Sequence, residues 1–493
     1  MKQPGRIASL NTLLTTLLLA LPPSLQAEEP NGKRLYEQNC ATCHGLQFQG
    51  SGLGPALSPG SYMYGGQEWD VYRIAKNGIS SKGMPAFGSA LNDAELNAIA
   101  KYVPTRKPAE EQPAEEATPE PPKFDPAPGK VSTLDYEVNL EVVAEQLDTP
   151  WAVAFPDTNT VLVTERVGRL RVIKNGKLDA NPIAGTPEVL MNPHKWNQGG
   201  LLDIALDPDY AKNGWIYLSY SHPIPDKANP ENHLGMTRVV RGKIKNHQWT
   251  QQEVVFEAAP EHYNEHFWHY AGRLIFDRQG YLYFSVGDRG VHEHAREQDK
   301  PFGKFHRLHP DGRVPPDNPF RDKAEALPSL FSLGHRNPQG LAIHPETGRL
   351  WSTEHGPRGG DELNILKPGG DYGWPNVTYG INYEGTILTP HTRMEGVEQP
   401  VIYWRPSIGV SGMTFYQGRQ FPLWQNKILV TALGQRQLRL LTLDGESVQH
   451  EEILVRFEGR PYEPAVAPDG SIYVVTDSPG KLVRLTAAAE RKL

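Results

Sequence analysis

The chain has 493 residues, with 57 acidic against 50 basic side chains and a formal charge of −7. That balance contains no basic block, so nucleic acid is excluded as a partner. With only two cysteines, no disulfide framework is available, and stability must come from packing and bound groups.

The first 27 residues read as an export signal. Lys2 and Arg6 give a positive start, Leu10 to Leu21 an apolar run, and Leu25-Gln26-Ala27 a cleavage site. A run of about a dozen residues is too short for a bilayer, which takes roughly 20. The expectation is a periplasmic protein with no membrane span.

Residues 28–104 form a first, small all-α domain. The pentapeptide Cys40-Ala41-Thr42-Cys43-His44 uses both cysteines and has the spacing of covalent c-type haem attachment. Both thiols would join the haem vinyl groups, and His44 would give the iron one axial nitrogen. A redox dithiol, half a zinc site or a plain disulfide are the rival readings. Zinc would need further Cys or His in this segment, and the segment has none. Met84, in Gly83-Met84-Pro85, offers the second iron ligand, and a His/Met pair is the ligation that raises a haem potential. Apolar residues recur at helical spacing over Asn31–Cys40 and Asn92–Tyr102, the second behind an Asn92/Asp93 cap. A Gly/Pro-rich stretch without period lies between them. The order helix, CxxCH, Gly54-Pro55, Gly-Met-Pro, helix resembles the small class I cytochromes c. That resemblance implies that the Pro55 carbonyl supports His44.

Residues 105–130 are a Pro/Ala/Glu tract that cannot bury a core. It reads as a tether that keeps the haem domain at high effective concentration near the rest.

From 131 to 493 a pattern recurs six times: a short apolar strand, a Pro/Asp/Gly turn, then a β-branched or aromatic strand. The copies begin at Trp151, Leu202, Arg273, Gly340, Gly412 and Pro464. One such unit cannot bury both faces, so six sheets closing into a ring are expected, a six-bladed β-propeller. The early strand Tyr136–Gln146 is expected to complete the last blade.

Eight segments interrupt these repeats in order: NQGGLLDIALDPDY, HYAGRLIF, SVGDRG, SLGHRNPQG, EHGPRGGDELN, GGDYGWPN, WRPSIG and APDG. Over nearly all of 135–485 they closely resemble the soluble quinoprotein glucose dehydrogenases and their aldose-sugar and sorbosone dehydrogenase relatives. The resemblance implies pyrroloquinoline quinone (PQQ) and calcium as cofactors and an aldose sugar or related alcohol as substrate. Carried over by position, His269 is the general base, Asp288 holds its tautomer, and Arg336 and Asn337 bind the quinone oxygen. Gln198, Trp404 and Arg460 match further PQQ contacts. The Gly356 and Pro357 carbonyls match a catalytic calcium site, and Glu362 and Tyr372 a second, structural one. Two cations of the family pattern are missing: Gly434 stands at a Lys position, with Arg436 two residues on, and Tyr462 stands where a second Arg follows Arg460.

The reading is therefore an exported oxidoreductase fusion that passes electrons from reduced PQQ to its own haem c and on to a soluble periplasmic cytochrome. A ligand-sensing propeller with an electron-transfer domain and a calcium-dependent lactone hydrolase are the alternatives. A separate possibility, His262, His266 and His269 facing together on a helix, would make a transition-metal site.

Overall fold

The computed structural model describes residues 30–51, 54–57, 68–79, 84–103, 129–192, 197–229, 231–383 and 385–491. The expected signal segment and all but the last two residues of the Pro/Ala/Glu tract lie outside these.

The small domain is helical. Helix α1 (Gly32–Asn39) starts behind Asn31, whose side chain accepts the Arg34 N–H. The single turn α2 (Ala41–His44) follows, then α3 (Glu68–Asn77) and α4 (Asp93–Tyr102). A capping box starts α4, in which Asn92 accepts from the first turn and Glu95 returns a bond to the Asn92 N–H. Leu35, Tyr36, Ile99 and Val103 form the core between α1 and α4. Helix α3 is an additional element between the two helices expected from the sequence. Its apolar positions Trp69, Val71, Tyr72, Ile74 and Ala75 recur within only ten residues, after the aperiodic Gly/Pro stretch.

The large domain is the expected six-bladed propeller. Its sheets run, inner strand first, from Pro150–Asp157, Leu201–Leu206, Ala271–Phe276, Pro338–Ile343, Val410–Phe415 and Arg460–Val466. These inner strands touch one another in that order, and the sixth returns to the first. Tyr136–Ala144 pairs antiparallel with Lys481–Glu490, so the chain start closes the last blade. A further strand, Gly129–Ser132, adds to its edge. Among the described residues the propeller's strands thus begin at Gly129, inside the tract assigned as tether.

A repeated hydroxyl explains how neighbouring blades lock. Thr164 donates to Leu202 O at 2.6 Å, Ser219 to Gly272 O at 2.5 Å, and Ser285 to Pro338 O at 3.3 Å. Thr353 donates to Ser411 O, and Thr431 to Tyr462 O at 3.0 Å. Each comes from the second strand of one blade and satisfies an inner-strand carbonyl of the next, which would otherwise be buried without a donor. The sixth junction is tied differently: Glu463, on the inner strand of blade 6, accepts the Val153 N–H of blade 1 at 2.8 Å.

The ring's centre is tied by one side chain. Arg273, 3% exposed, lies 3.8 Å over the Trp151 ring and pairs with Glu463 at 3.2 Å and Asp203 at 3.5 Å. It also donates to Gln339 O at 2.6 Å and Tyr462 O at 3.2 Å. One guanidinium of blade 3 therefore touches blades 1, 2, 4 and 6, in a setting where an unpaired charge would be costly.

Candidate active site

In every blade the start of the inner strand and the end of the second strand lie at the same end, because the two are antiparallel. The chemistry-bearing residues sit just beyond those strand ends. Ala271 pairs with Val286, and the same register two residues further out sets His269 against Asp288. Pro338 pairs with Glu354, which sets Asn337 beside His355 and Arg336 beside Gly356. Gly287 has to be glycine, since a Cβ there would stand 2.2 Å from the His269 carbonyl oxygen.

His269 Nδ1 is 2.6 Å from Asp288 Oδ1, and the other carboxylate oxygen accepts the Trp374 indole N–H at 2.8 Å. The His269 backbone adopts φ 56° and donates its N–H to Gln198 Oε1 at 2.8 Å. Burial, and then the Arg336 charge, push the imidazole below its ordinary value. Burial alone would raise Asp288, but His269 and Arg336 outweigh it and hold the carboxyl at about 2. The direction that follows is a neutral imidazole with a free Nε2 beside an ionised carboxylate.

Arg336 donates to Gly356 O at 2.8 Å and to His355 O at 3.3 Å, and its backbone N–H bonds Glu354. Asn337 Oδ1 accepts from Gln339 at 3.3 Å. Next to this cluster an axial cavity of about 350 Å³ is lined by Gln198, Asn337, His355, Arg166, Arg436, Arg460 and Tyr462, among others. Three guanidiniums, from blades 1, 5 and 6, thus meet one cavity. Arg166 is oriented by donating to Gly199 O at 3.0 Å, and Arg436 by donating to Glu458 O at 3.0 Å. Gly434 cannot carry a lysine without a shift, because a Cβ would lie 2.8 Å from Ile408 O. Tyr462 fills the second arginine's place and donates to Asp477 at 3.2 Å.

Two expectations need correcting. Trp404 does not reach the cavity: it is fully buried on the outermost strand of blade 4, Ile402–Trp404, and donates its indole N–H to Glu451 at 3.1 Å. With strands about 4.8 Å apart, that strand lies about 14 Å from the innermost one. The three histidines do not share a helix either. Pro260–His262 is a single 3-10 turn, after which His262 meets Phe302, His266 meets Trp268, and His269 turns to Asp288. Among the described residues no group of three or more His, Cys, Asp or Glu is arranged to hold a metal.

The carbonyls expected to bind calcium belong to a turn rich in backbone oxygen, where Gly356 packs against the Gly359 and Gly360 oxygens. Gly356 O already accepts from Arg336, and Pro357 O from Ser407 at 3.3 Å. Glu362 faces Glu354 across paired strands, and burial followed by this neighbour raises it to about 8. The Tyr372 hydroxyl is turned away, donating to Ile365 O at 2.6 Å, while its ring stacks on His335.

In the small domain His44 Nδ1 is 2.8 Å from Pro55 O, which leaves Nε2 free. Burial, then Cys43, lift the Cys40 thiol to about 11. Met84 forms a short antiparallel bridge with Ile79.

Sequence reasoning did not single out Trp374, Arg166, Arg273 or Arg289. Arg289 is fully buried, 3.4 Å over the Tyr270 ring, and donates to Gly235 O at 3.2 Å, clamping the segment that carries His269. Trp374, Arg273 and Arg289 lie inside the quoted segments GGDYGWPN, HYAGRLIF and SVGDRG, which was the available signal.

A six-bladed propeller with an imidazole–carboxylate pair beside a cationic axial cavity, joined to a cytochrome c domain, defines an oxidoreductase. The chain belongs to the glucose/sorbosone dehydrogenase family, whose model matches residues 147–484. Residues 27–103 match the family of cytochrome c oxidase, cbb3-type, subunit III. The aldose sugar dehydrogenase YliI of Escherichia coli is 40% identical over 355 residues, covering 71% of this chain and 93% of that protein. A glucose dehydrogenase crystal structure is 41% identical with a TM-score of 0.67, over 71% of this chain and all of the other. The PQQ-bound aldose sugar dehydrogenase of Streptomyces coelicolor is 25% identical with a TM-score of 0.57, over 71% and 98% of the two chains.

Proposed function

We propose that the propeller oxidises the anomeric C–OH of an aldose sugar with PQQ and calcium, and that its haem c carries the electrons to a periplasmic acceptor. The observation that carries this is the His269–Asp288 pair, 2.6 Å apart, tied through the His269 N–H to Gln198, which lines a cavity walled by three arginines.

The cavity suits PQQ because the cofactor carries three carboxylates, and Arg166, Arg436 and Arg460 offer three cations where the family's Lys and second Arg are replaced. Gln198 and Asn337 are amide partners on the same wall. When bound, PQQ supplies a carbonyl that accepts hydride. His269 Nε2 takes the hydroxyl proton, Asp288 keeps Nδ1 protonated, and Trp374 fixes the carboxylate. Arg336 and Asn337 would supply donors to the quinone oxygen that gains negative charge. The Gly356–Gly360 turn offers oxygen donors that suit a hard cation, and a second cation at Glu362 would relieve its repulsion with Glu354. Cys40 and Cys43 would hold the haem, with His44 and Met84 as axial ligands. The Pro55 carbonyl would fix the His44 tautomer that presents Nε2 to the iron.

An expected signal at residues 1–27 supports the periplasm, and no described helix is long and apolar enough to cross a membrane. The test is to load the purified protein with PQQ and Ca²⁺, add a panel of aldoses and follow the reduced-haem absorbance. Reduction that His269→Ala abolishes, with the haem spectrum intact, is the expected result. No PQQ binding by calorimetry and no response to any sugar would replace this reading with a sensing propeller.

A further inference from the structure

The cytochrome domain meets the propeller on its flank. From the small domain come Tyr72, Arg73 and Lys76 of α3 and Asp93 at the start of α4. Asp93 pairs with Arg393 of the propeller while also accepting from Tyr72 at 2.7 Å and Lys76 at 3.0 Å. Arg73 stands 3.9 Å from Glu451, the carboxylate that also holds Trp404 and Arg439. On one side of these pairs α3 and the Gly78-Ile79 turn lie against Val448–Glu451 on the outer strand of blade 5 with a gap of about 10 Å³, and on the other a cavity of about 180 Å³ opens between Tyr72, Lys76 and Asp93 and the propeller's Tyr379, Arg393 and Tyr403. No described cytochrome residue lines the axial cavity.

The propeller's half of this contact includes the loop 367–401, which connects the third and fourth strands of blade 4. The same loop reaches the catalytic cluster: Trp374 bonds Asp288, and the Tyr383 hydroxyl lies 3.5 Å from Arg336. Four residues before Tyr383, Tyr379 stacks on Tyr403 at 3.8 Å, beside Arg393 at the cytochrome contact. Four residues of backbone span at most about 14 Å. On the other side, Ile79 at the contact is bridged to Met84, the residue proposed to ligate iron.

We propose that the cytochrome domain docks in one fixed pose on the blade 5 flank and the 367–401 loop, and that electrons leave the sugar-oxidising site across this side-on interface. The electron-carrying role rests on the proposed function; the docked pose does not. Each sugar oxidised gives up two electrons and two protons. The haem accepts the electrons singly and hands each to an external one-electron acceptor, and the protons go to water. Sugar enters by the cavity mouth and electrons leave by the flank, so turnover needs no undocking. The Pro/Ala/Glu tract is then a connector whose length does not set the rate.

The test combines small-angle scattering of the holoprotein at low and high salt with stopped-flow haem reduction by an aldose after loading with PQQ and Ca²⁺. Arg393→Glu should expand the particle and slow haem reduction at least tenfold, while dye reduction at the propeller stays as in the wild type. Adding Asp93→Lys to that variant should restore both. Doubling residues 106–128 should leave the rate unchanged, whereas a free tether predicts a fall of about threefold from the −3/2 power of length. A wild type already extended at low salt, an Arg393→Glu protein unchanged in shape and rate, or that threefold fall would each overturn the proposal. If Asp93→Lys costs the haem spectrum, Arg393→Gln decides by the same two readouts. If no aldose reduces the wild-type haem, the proposed function fails, and scattering alone decides the docked pose.

Discussion

Trp374 reaches from a blade 4 loop to the blade 3 carboxylate of Asp288, placing its indole N–H 2.8 Å from Oδ2 while His269 holds Oδ1. The carboxylate is thereby fixed at both oxygens, and the imidazole inherits its orientation. Asp288→Asn should cut kcat/KM by roughly 10²–10⁴, the range for disabling a general base. Trp374→Phe should cost about tenfold, since a hydrogen bond to a charged group contributes about 1.5–3 kcal/mol. Steady-state haem reduction measures both, with unchanged PQQ binding by calorimetry as the control for an intact propeller.

The pH dependence follows from His269. Only the neutral imidazole accepts a proton, and burial together with Arg336 lowers its pKa in the folded enzyme. Activity should therefore persist at pH 6.5, where an ordinary histidine is half protonated, and fall on the acid side of that value. A profile of log kcat/KM against pH whose acid limb lies above 6.5 would contradict this assignment.

Arg273 should matter to stability more than any surface ion pair. Arg273→Met strands Asp203 and Glu463 in the ring centre, and breaking a buried pair costs about 3–5 kcal/mol. Denaturant unfolding followed by tryptophan fluorescence reads the loss.

Glu463 adds a pH term. Burial raises it from 4.5 to about 8 even though Arg273 opposes the shift. A carboxyl raised on folding stabilises below its unfolded pKa, and that stability is lost as pH climbs through about 8. The wild-type Tm should be lower at pH 9 than at pH 6, and Glu463→Gln should flatten the slope.

The cavity arginines carry the proposed cofactor affinity. Arg436→Ala and Arg460→Ala should each weaken PQQ binding about tenfold or more, by loss of a charge-assisted bond of about 1.5–3 kcal/mol. Gly434→Lys should not recover the family's tighter pattern, because Ile408 O stands 2.8 Å from the new Cβ. Calorimetric titration with PQQ separates these outcomes.

What the amino-acid order determined by itself was whatever is carried by neighbouring residues. Cys40-Ala41-Thr42-Cys43-His44 states its chemistry within five positions, and six strand–turn–strand copies imply a closed ring, since one copy has no partner for its second face. His269, Asp288 and Arg336 were legible because each sits in a short segment of recognisable order. Helix α3 was not, since its ten residues are too short a window to stand out after the aperiodic Gly/Pro stretch, and Trp404 was misplaced because a one-dimensional match cannot tell an outer strand from an inner one. Only the tertiary structure decided that Arg166 joins Arg436 and Arg460 on one wall, that Arg273 ties the ring centre, that Trp374 braces Asp288, and that Arg393 meets Asp93. Apart from Arg436 and Arg460, those partners lie 66 to 300 positions apart in the chain, and their meeting is set by strand register and ring closure, which no local pattern of residues records.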